Sequence, residues 1–382
     1  MKKRAWFLYP IVAGVATLAY LTVYHHSWLY NAIGISSPIV ILLAVRMHRP
    51  EQRAPWFLFA IGQTLFIAGD VIAYNYNSFF GGELPYPAIS DALYLSVYPC
   101  LVAGILLMIR RRYPGKDRAS LIDSLIVSIG IGTISWVFLI APYAHDTESG
   151  LLTKMTSMSY PIMDLVLLAV AVRLAVGIGK RAPSFALMML AILALFATDA
   201  IYGWLLLGEG YTPGSGALEA GWIAFYVIFG MAALHPSMRA LSERAPDADS
   251  RLTTFRLNLL TGAALMAPGV QAIEAIRGND VDLPIVLGAS MLLFLLAMDR
   301  MAGLLHAQEQ SAKRERALRS AGAALVTATN REGIYASTLT AARSLAGDDA
   351  AIRVCEVQEG GDVLEVVASV GGDPGVEGHR FA

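Results

Sequence analysis

The run Ile67-Ala68-Gly69-Asp70-Val71-Ile72, leading on to Ser90-Asp91-Ala92-Leu93-Tyr94-Leu95-Ser96-Val97-Tyr98, decides the fold, because the chain writes it twice. The second copy is Phe196-Ala197-Thr198-Asp199-Ala200-Ile201, leading on to Leu218-Glu219-Ala220-Gly221-Trp222-Ile223-Ala224-Phe225-Tyr226. Asp70 matches Asp199, Asp91 matches Glu219, Tyr94 matches Trp222 and Tyr98 matches Tyr226. The offset stays at roughly 130 residues through both helices, as expected of a duplicated helix hairpin. Each copy sets a carboxylate inside an apolar helix, where a charge costs at least ~2.5 kcal/mol in a bilayer. A residue that expensive has either a partner or a task.

Working outward, the composition agrees with a membrane setting. Of 382 residues, 56% are hydrophobic and only 15% charged, against about 25% charged in an average soluble domain. Cys100 lies in an apolar segment and Cys355 near the C-terminus, so they are not expected to pair, and neither has metal-ligand spacing. Met1-Lys2-Lys3-Arg4 and the apolar run behind it have the start of a signal peptide. The run is long enough to span, however, and no small-x-small cleavage site follows, so it reads as a retained first helix.

Ten apolar segments can be marked at 6–24, 33–45, 56–76, 90–109, 120–140, 156–176, 185–207, 217–233, 255–273 and 283–298. A span needs about 20 residues, and the second segment falls short of that. Basic residues collect in alternate loops: Lys2, Lys3 and Arg4; Arg46, Arg49 and Arg53; Arg110, Arg111, Arg112, Lys116 and Arg118; Lys180 and Arg181; Arg239, Arg244 and Arg251. The intervening loops hold little beyond Lys154 and Arg277. Lys/Arg bias of this kind orients a polytopic protein with both termini in the cytoplasm, here of a plasma-membrane protein. The fold class expected is therefore an all-α polytopic membrane protein with a C-terminal α/β fragment, divided as a membrane domain (1–298), a linker helix (299–325) and a soluble piece (326–382).

The linker stretch from Asp299 is charged but free of proline, and Leu304, Leu318 and Leu325 suggest a helix able to pair in a homodimer. Ala321–Leu345 reads as one further helix. Ala351–Val357 and Val363–Val370 read as strands joined by a turn at Gln358–Asp362, with another turn at Gly371–Gly375. A lone hairpin is marginal, so this piece is expected to lean on a partner or to be the front of a longer domain; the second reading is taken.

Asp70, Asp199 and Asp164 fall at similar depth, about six to eight residues from the outer helix ends, on the order of 9–12 Å. Tyr74, Tyr94, Tyr98, Tyr160, Tyr202, Trp222 and Tyr226 surround them in the pattern, and Tyr98-Pro99 and Tyr160-Pro161 are expected to kink their helices. Together these sketch an outward polar pocket lined by aromatics, suited to a small cationic or hydroxylated ligand or to a proton, with the three aspartates, Tyr94, Tyr98, Tyr160, Trp222 and Tyr226 the eight residues singled out for it. The competing reading is that the aspartates hydrogen-bond neighbouring helices and only hold the bundle together. Asp91, Glu219 and Asp123 lie near helix starts, where capping and dipole compensation account for them. His25, His26, His145 and Asp146 match no metal-ligand spacing, and no metal or cofactor is assigned. Gly130 and Gly132 suit close helix contact. No phosphate loop, HExxH or nucleophile elbow occurs, and the basic run Lys313–Arg319 is too mixed for nucleic acid.

Two stretches carry a resemblance. Ala317–Val370, with Ala328-Thr329-Asn330-Arg331-Glu332-Gly333-Ile334 and the two strands, resembles the opening of a GAF domain. The membrane part, through Gly69–Ile72, Asp91–Tyr94, Ser135–Asp146 and Ala233–Met238, is similar to the sensor region of actinobacterial membrane GGDEF/EAL proteins. The resemblance implies an input module for cyclic di-GMP synthesis or breakdown by output domains absent from this chain, and it assigns no catalytic residue here. The alternative is a proton-coupled small-molecule transporter, since intramembrane carboxylates suit proton coupling.

Overall fold

A computed structural model of the chain describes residues 2–22, 27–112, 118–176, 182–208, 218–241, 254–278, 282–328, 330–346, 350–357, 363–371 and 376–381. They fall into two compact units, Met1–Met298 and Asp299–Ala382. The chain is a largely helical, multi-pass membrane protein: eight helices are long and apolar enough to cross a bilayer, and two shorter ones are also apolar.

In order, the first unit holds α1 (Lys2–Thr22), α2 (Ser27–His48), α3 (Ala54–Tyr74), the short α4 (Tyr76–Phe80), α5 (Ile89–Arg112) and α6 (Arg118–Ser135). A π-helical turn, Trp136–Ile140, joins α6 to the short α7 (Ala141–His145). Then come α8 (Leu151–Val176), α9 (Pro183–Leu207), α10 (Glu219–Leu234), a 3-10 turn at Pro236–Leu241 and α11 (Thr254–Arg277). Next, α12 (Leu283–Thr327) begins among the apolar helices and continues as the first element of the second unit. The described parts of the ten apolar segments read from the sequence fall on these helices, the third running from α3 to the start of α4 and the fifth from α6 through the π-helical turn. The second is longer than expected: α2 has 22 residues, because Ser27–Ala32 are helical as well. Pro55 and Pro183 sit at first-turn positions of α3 and α9, where their missing N–H costs nothing. Pro99 and Pro161, expected to kink α5 and α8, lie inside helices assigned as unbroken.

The duplication goes beyond the hairpins. α3 packs on α5 as α9 packs on α10, while α2 lies against α3 and α10 as α8 lies against α9 and α5. Three helices of each half therefore correspond, α2-α3-α5 with α8-α9-α10. The copies run in the same sense, since an even number of spans separates them. Their interface is the main core, filled by Trp56, Phe59, Phe225, Tyr226 and Phe229, all essentially inaccessible. A smaller cluster of Ile122, Ile126, Val127, Ala263, Ala267 and Leu293 joins α6, α11 and α12. Gly130 permits that join: a Cβ there would lie 2.4 Å from the Ala263 carbonyl oxygen. Outward-facing Phe7, Ile11, Val15, Phe294 and Leu295 are well exposed, as expected of a surface solvated by lipid tails.

Asp123 is not a helix cap. It is fully buried in α6, and Arg256 of α11 holds it through Nε at 2.7 Å and Nη2 at 2.5 Å. Ser120 beside it donates to the Arg173 carbonyl of α8. This end of the bundle is thus tied by charge where the sequence suggested only local compensation.

The second unit continues from Asp299 with the rest of α12, α13 (Arg331–Ala346) and an antiparallel sheet of β1 (Ile352–Val357), β2 (Leu364–Val370) and the two-residue β3 (Arg380–Phe381), in that order. The single helix expected over Ala321–Leu345 is two: α12 ends at Thr327, and Asn330 caps α13 by accepting the Gly333 N–H at 2.8 Å. α13 lies against β1 and β2, with Val366 fully buried beneath it. Tyr335 of α13 donates to Glu356 of β1 at 2.6 Å. That hydrogen bond to the carboxylate holds the Tyr335 phenol above its usual pKa. β3 was not anticipated. The turn expected at Gln358–Asp362 and residues 372–375 of the one expected at Gly371–Gly375 lie outside the described residues, as do His25, His26, Lys116, Lys180, Arg181, Arg244, Arg251 and the start of the eighth segment at Ala217.

Candidate functional site

The duplicated motif places an aspartate one or two turns from the end of α3 and of α9, and paired aromatic residues on the first turns of α5 and α10. Residues four apart on a helix share a face, so Tyr94 and Tyr98, like Trp222 and Tyr226, point to the same side. In the structure the nearer aromatic of each pair serves its own hairpin. Tyr94 donates to Asp70 Oδ1 at 3.0 Å, and Trp222 Nε1 donates to Asp199 Oδ1 at 2.8 Å.

The second aromatic crosses to the other half. Tyr226 of α10 donates to Asp70 Oδ2 at 2.7 Å, and Tyr98 of α5 donates to Asp199 Oδ2 at 3.1 Å. Both carboxylates are thereby held by one donor from each copy, in the same pattern. The helices come close enough because small residues stand beside the aspartates. A Cβ on Gly69 would lie 2.6 Å from the Tyr94 ring, and in the other copy a Cβ on Gly221 would strike Thr198.

Asp164 of α8 breaks the symmetry. It is buried, and it accepts from the same Tyr98 hydroxyl at 2.9 Å. Tyr98 thus offers one proton to two carboxyl groups. Among the described residues, none of Asp70, Asp164 and Asp199 takes part in an ion pair. Three carboxyl groups stand in an apolar core on hydrogen bonds alone. A proton or cation reaching Asp164 and Asp199 would find two adjacent oxygens competing for a single hydroxyl.

Seven of the eight residues singled out from the sequence form this cluster: Asp70, Asp164, Asp199, Tyr94, Tyr98, Trp222 and Tyr226. Tyr160 does not join it, and donates instead to Asp91 Oδ1 at 2.7 Å. Asp91 does cap its helix, Oδ2 accepting the Ala88 N–H at 2.7 Å, but it also ties α5 to α8. Glu219 is the first residue of α10, where an acidic side chain compensates the helix dipole as expected. It is 2% exposed, and among the described residues its Oε2 has no hydrogen-bond partner. Sequence reasoning also missed Asp282, which accepts from Trp136 Nε1 at 2.8 Å and pairs with His145 at 3.4 Å. Asp146 accepts the N–H groups of Glu148 and Ser149 within its own turn.

A groove of about 330 Å³ runs between α2 and α3, lined by Trp28, Asn31, Ile35, Ile67, Val71 and Asn75 among others, and none of the eight residues lines it. Among the described residues no group of three His, Cys, Asp or Glu side chains is placed to hold a metal ion. Comparison with protein-family models, curated proteins and solved structures finds no match to the chain.

Proposed function

We propose that the membrane unit is a sensory input module whose stimulus acts on the crossed carboxyl–aromatic cluster. The observation that carries this is the exchange of donors, Tyr226 to Asp70 and Tyr98 to Asp199, which ties the two copies together through buried carboxylates. A proton or small cation that binds one arrangement of these bonds more tightly shifts the population toward it. α12 runs from the apolar region into the charged Asp299–Ser320 stretch as one helix, which supports it as the route of the signal. Leu318 on that stretch is exposed, in keeping with pairing in a homodimer. The loop charges support cytoplasmic termini in a plasma membrane. The resemblance to GGDEF/EAL sensor regions makes cyclic di-GMP turnover the proposed output, and α13 with its sheet the proposed start of a GAF-like domain.

One observation favours the transporter reading: parallel repeats with carboxylates at their interface also describe carriers whose substrate site lies between the copies. Reconstitution in proteoliposomes decides between them. The sensor reading expects no proton-coupled uptake. It also expects a pH step to change amide exchange across Asp299–Ser320 in wild type and less so in Asp70→Asn and Asp199→Asn. Acidification of the lumen with solute accumulation, or equal exchange responses in wild type and both variants, overturns it.

A further inference from the structure

The run Leu234-His235-Pro236-Ser237-Met238, which the carboxyl–aromatic cluster leaves unexplained, helps to close three helix ends at once. α9 begins with no cap of its own: its N-cap position is Ala182, which has no polar side chain, and Pro183 follows. The N–H of Ser184, one of the first-turn donors that no helix can satisfy internally, is accepted instead by Ser237 Oγ at 3.1 Å. Ser184 Oγ in turn donates to the Ala232 carbonyl in the last turn of α10 at 2.5 Å. His48, at the end of α2, meets the Leu234 carbonyl through Nε2 at 2.9 Å, and Arg239 Nε donates to the His48 carbonyl. Met238 and Leu241, both essentially inaccessible, anchor the 3-10 turn in the main core.

His235 sets the direction of these bonds. Its Nδ1 lies 3.1 Å from the Ser237 nitrogen and 2.7 Å from Ser237 Oγ. A backbone N–H can only donate, so Nδ1 carries no proton and the neutral ring keeps its own on Nε2. Ser237 Oγ, which receives the Ser184 N–H, therefore turns its hydrogen to Nδ1. The ring is partly exposed, with the Trp6 ring of α1 edge-on at 4.9 Å, so a proton from water can reach it. Among the described side chains, the titratable and charged groups nearest it are His48 of α2 and Arg239 of its own turn. α1 contributes the Trp6 indole and α9 the Ser184 hydroxyl, and no described carboxylate acts on the ring. Burial, with the neighbouring His48, holds the His235 pKa below its ordinary value.

We propose that His235 and Ser237 form a pH-sensitive clasp on the paired ends of α9 and α10. A proton taken up at Nδ1 puts an N–H where the Ser237 N–H already points, so two donors oppose each other and the turn opens. Ser237 Oγ is drawn away from Ser184 as it does, and the start of α9 loses its cap. Because the folded value lies below the usual one of about 6.5, the clasp contributes fully above that pH and fails as the pH falls below it. Ser184 stands about 22 Å along α9 from Asp199, so this titration is separate from any at the carboxyl–aromatic cluster and does not depend on the sensory reading.

Amide exchange of the full chain in nanodiscs, corrected for the intrinsic pH dependence of exchange, tests the clasp at about pH 7.5 and about pH 5.5, either side of the histidine range. In wild type, protection over residues 184–188 is expected to fall several-fold at the lower pH. His235→Asn puts an uncharged acceptor near the place of Nδ1, and is expected to keep the protection at the higher pH and to lose the pH dependence. Ser237→Ala removes the cap and is expected to lower protection at the start of α9 at both pH values, which keeps the test open should His235→Asn fail to fold. Protection independent of pH in wild type, an equal pH response in His235→Asn, or wild-type protection in Ser237→Ala overturns the clasp. A pH response over residues 299–320 with none over 184–188 also overturns it, and leaves the sensory reading intact.

Discussion

Replacing Tyr226 by Phe deletes one oxygen atom and a 2.7 Å bond to Asp70, in a position with no solvent access. Asp70 then keeps only the longer bond from Tyr94, at 3.0 Å. Interhelical hydrogen bonds in bilayers average about 0.6 kcal/mol and reach about 1.7. A carboxylate acceptor roughly doubles a neutral bond. Tyr226→Phe should therefore cost about 1–2 kcal/mol, and Tyr94→Phe about half as much because its bond is longer and its ring less buried. Tyr98→Phe removes the donor of two carboxyl groups and should cost most, about 2–3 kcal/mol. Reversible unfolding in bicelles, followed by steric trapping, measures each loss. The single variants at 94 and 226 should couple, since both serve Asp70, whereas 226 and 98 should add within about 0.5 kcal/mol. A Tyr226→Phe variant within about 0.3 kcal/mol of wild type, or a ranking with Tyr94 above Tyr98, would refute the crossed arrangement.

Gly130→Ala drives a methyl group against the Ala263 carbonyl and should cost about 1–3 kcal/mol, whereas at Gly132 the added carbon meets Leu165 at an ordinary 3.5 Å. Gly132→Ala should then be neutral or stabilising, and thermal unfolding of the pair checks both. Asp123→Asn removes the charge that Arg256 Nε and Nη2 contact, a loss of about 3–5 kcal/mol, while pairing it with Arg256→Met recovers most of that. A double variant no better than the single one would count against the pair. Asn330→Ala should destabilise the start of α13 by about 0.5–2 kcal/mol, seen as faster amide exchange at Gly333 and Ile334.

The duplicated carboxylates were legible because each sits in an apolar run at a fixed offset, and a two-copy pattern survives in sequence even where side chains differ, as with Tyr94 and Trp222. The crossing of Tyr98 and Tyr226 was not legible: residues four apart share a helix face, and only packing of the copies decides which aspartate each reaches. Asp123 was misread for a related reason. A cap signal is local, while its partner lies 133 residues away. Asp282 went unnoticed because Trp136 is 146 residues from it and no motif joins them. Asn330 was overlooked within a run of good helix formers, although a residue three before Gly333 can accept its N–H and start a new helix. β3, two residues long, is too short to leave a pattern at all.

Duplication alone would give two equal sites, and the chain departs from that at Asp164. α2 carries no carboxylate, and its Ser37 donates to the Tyr226 backbone carbonyl at 2.6 Å. α8 instead sets Asp164 against the Tyr98 hydroxyl, so only one half has two carboxyl groups on one donor. The two aspartates there are not equivalent. Asp199 also holds Trp222 and so joins three helices, whereas Asp164 adds a second acceptor to a hydroxyl already engaged. Asp199→Asn should therefore cost stability, about 1–3 kcal/mol, through the donors it leaves poorly matched. Asp164→Asn should cost less than about 0.5 kcal/mol or stabilise, because the amide can still accept from Tyr98 while Asp199 keeps its own donors. If Asp164→Asn proves the more damaging, Asp164 is a structural strut. If instead it is silent for stability yet removes the pH response of α12, the asymmetry of the duplicated bundle is where its sensitivity was built.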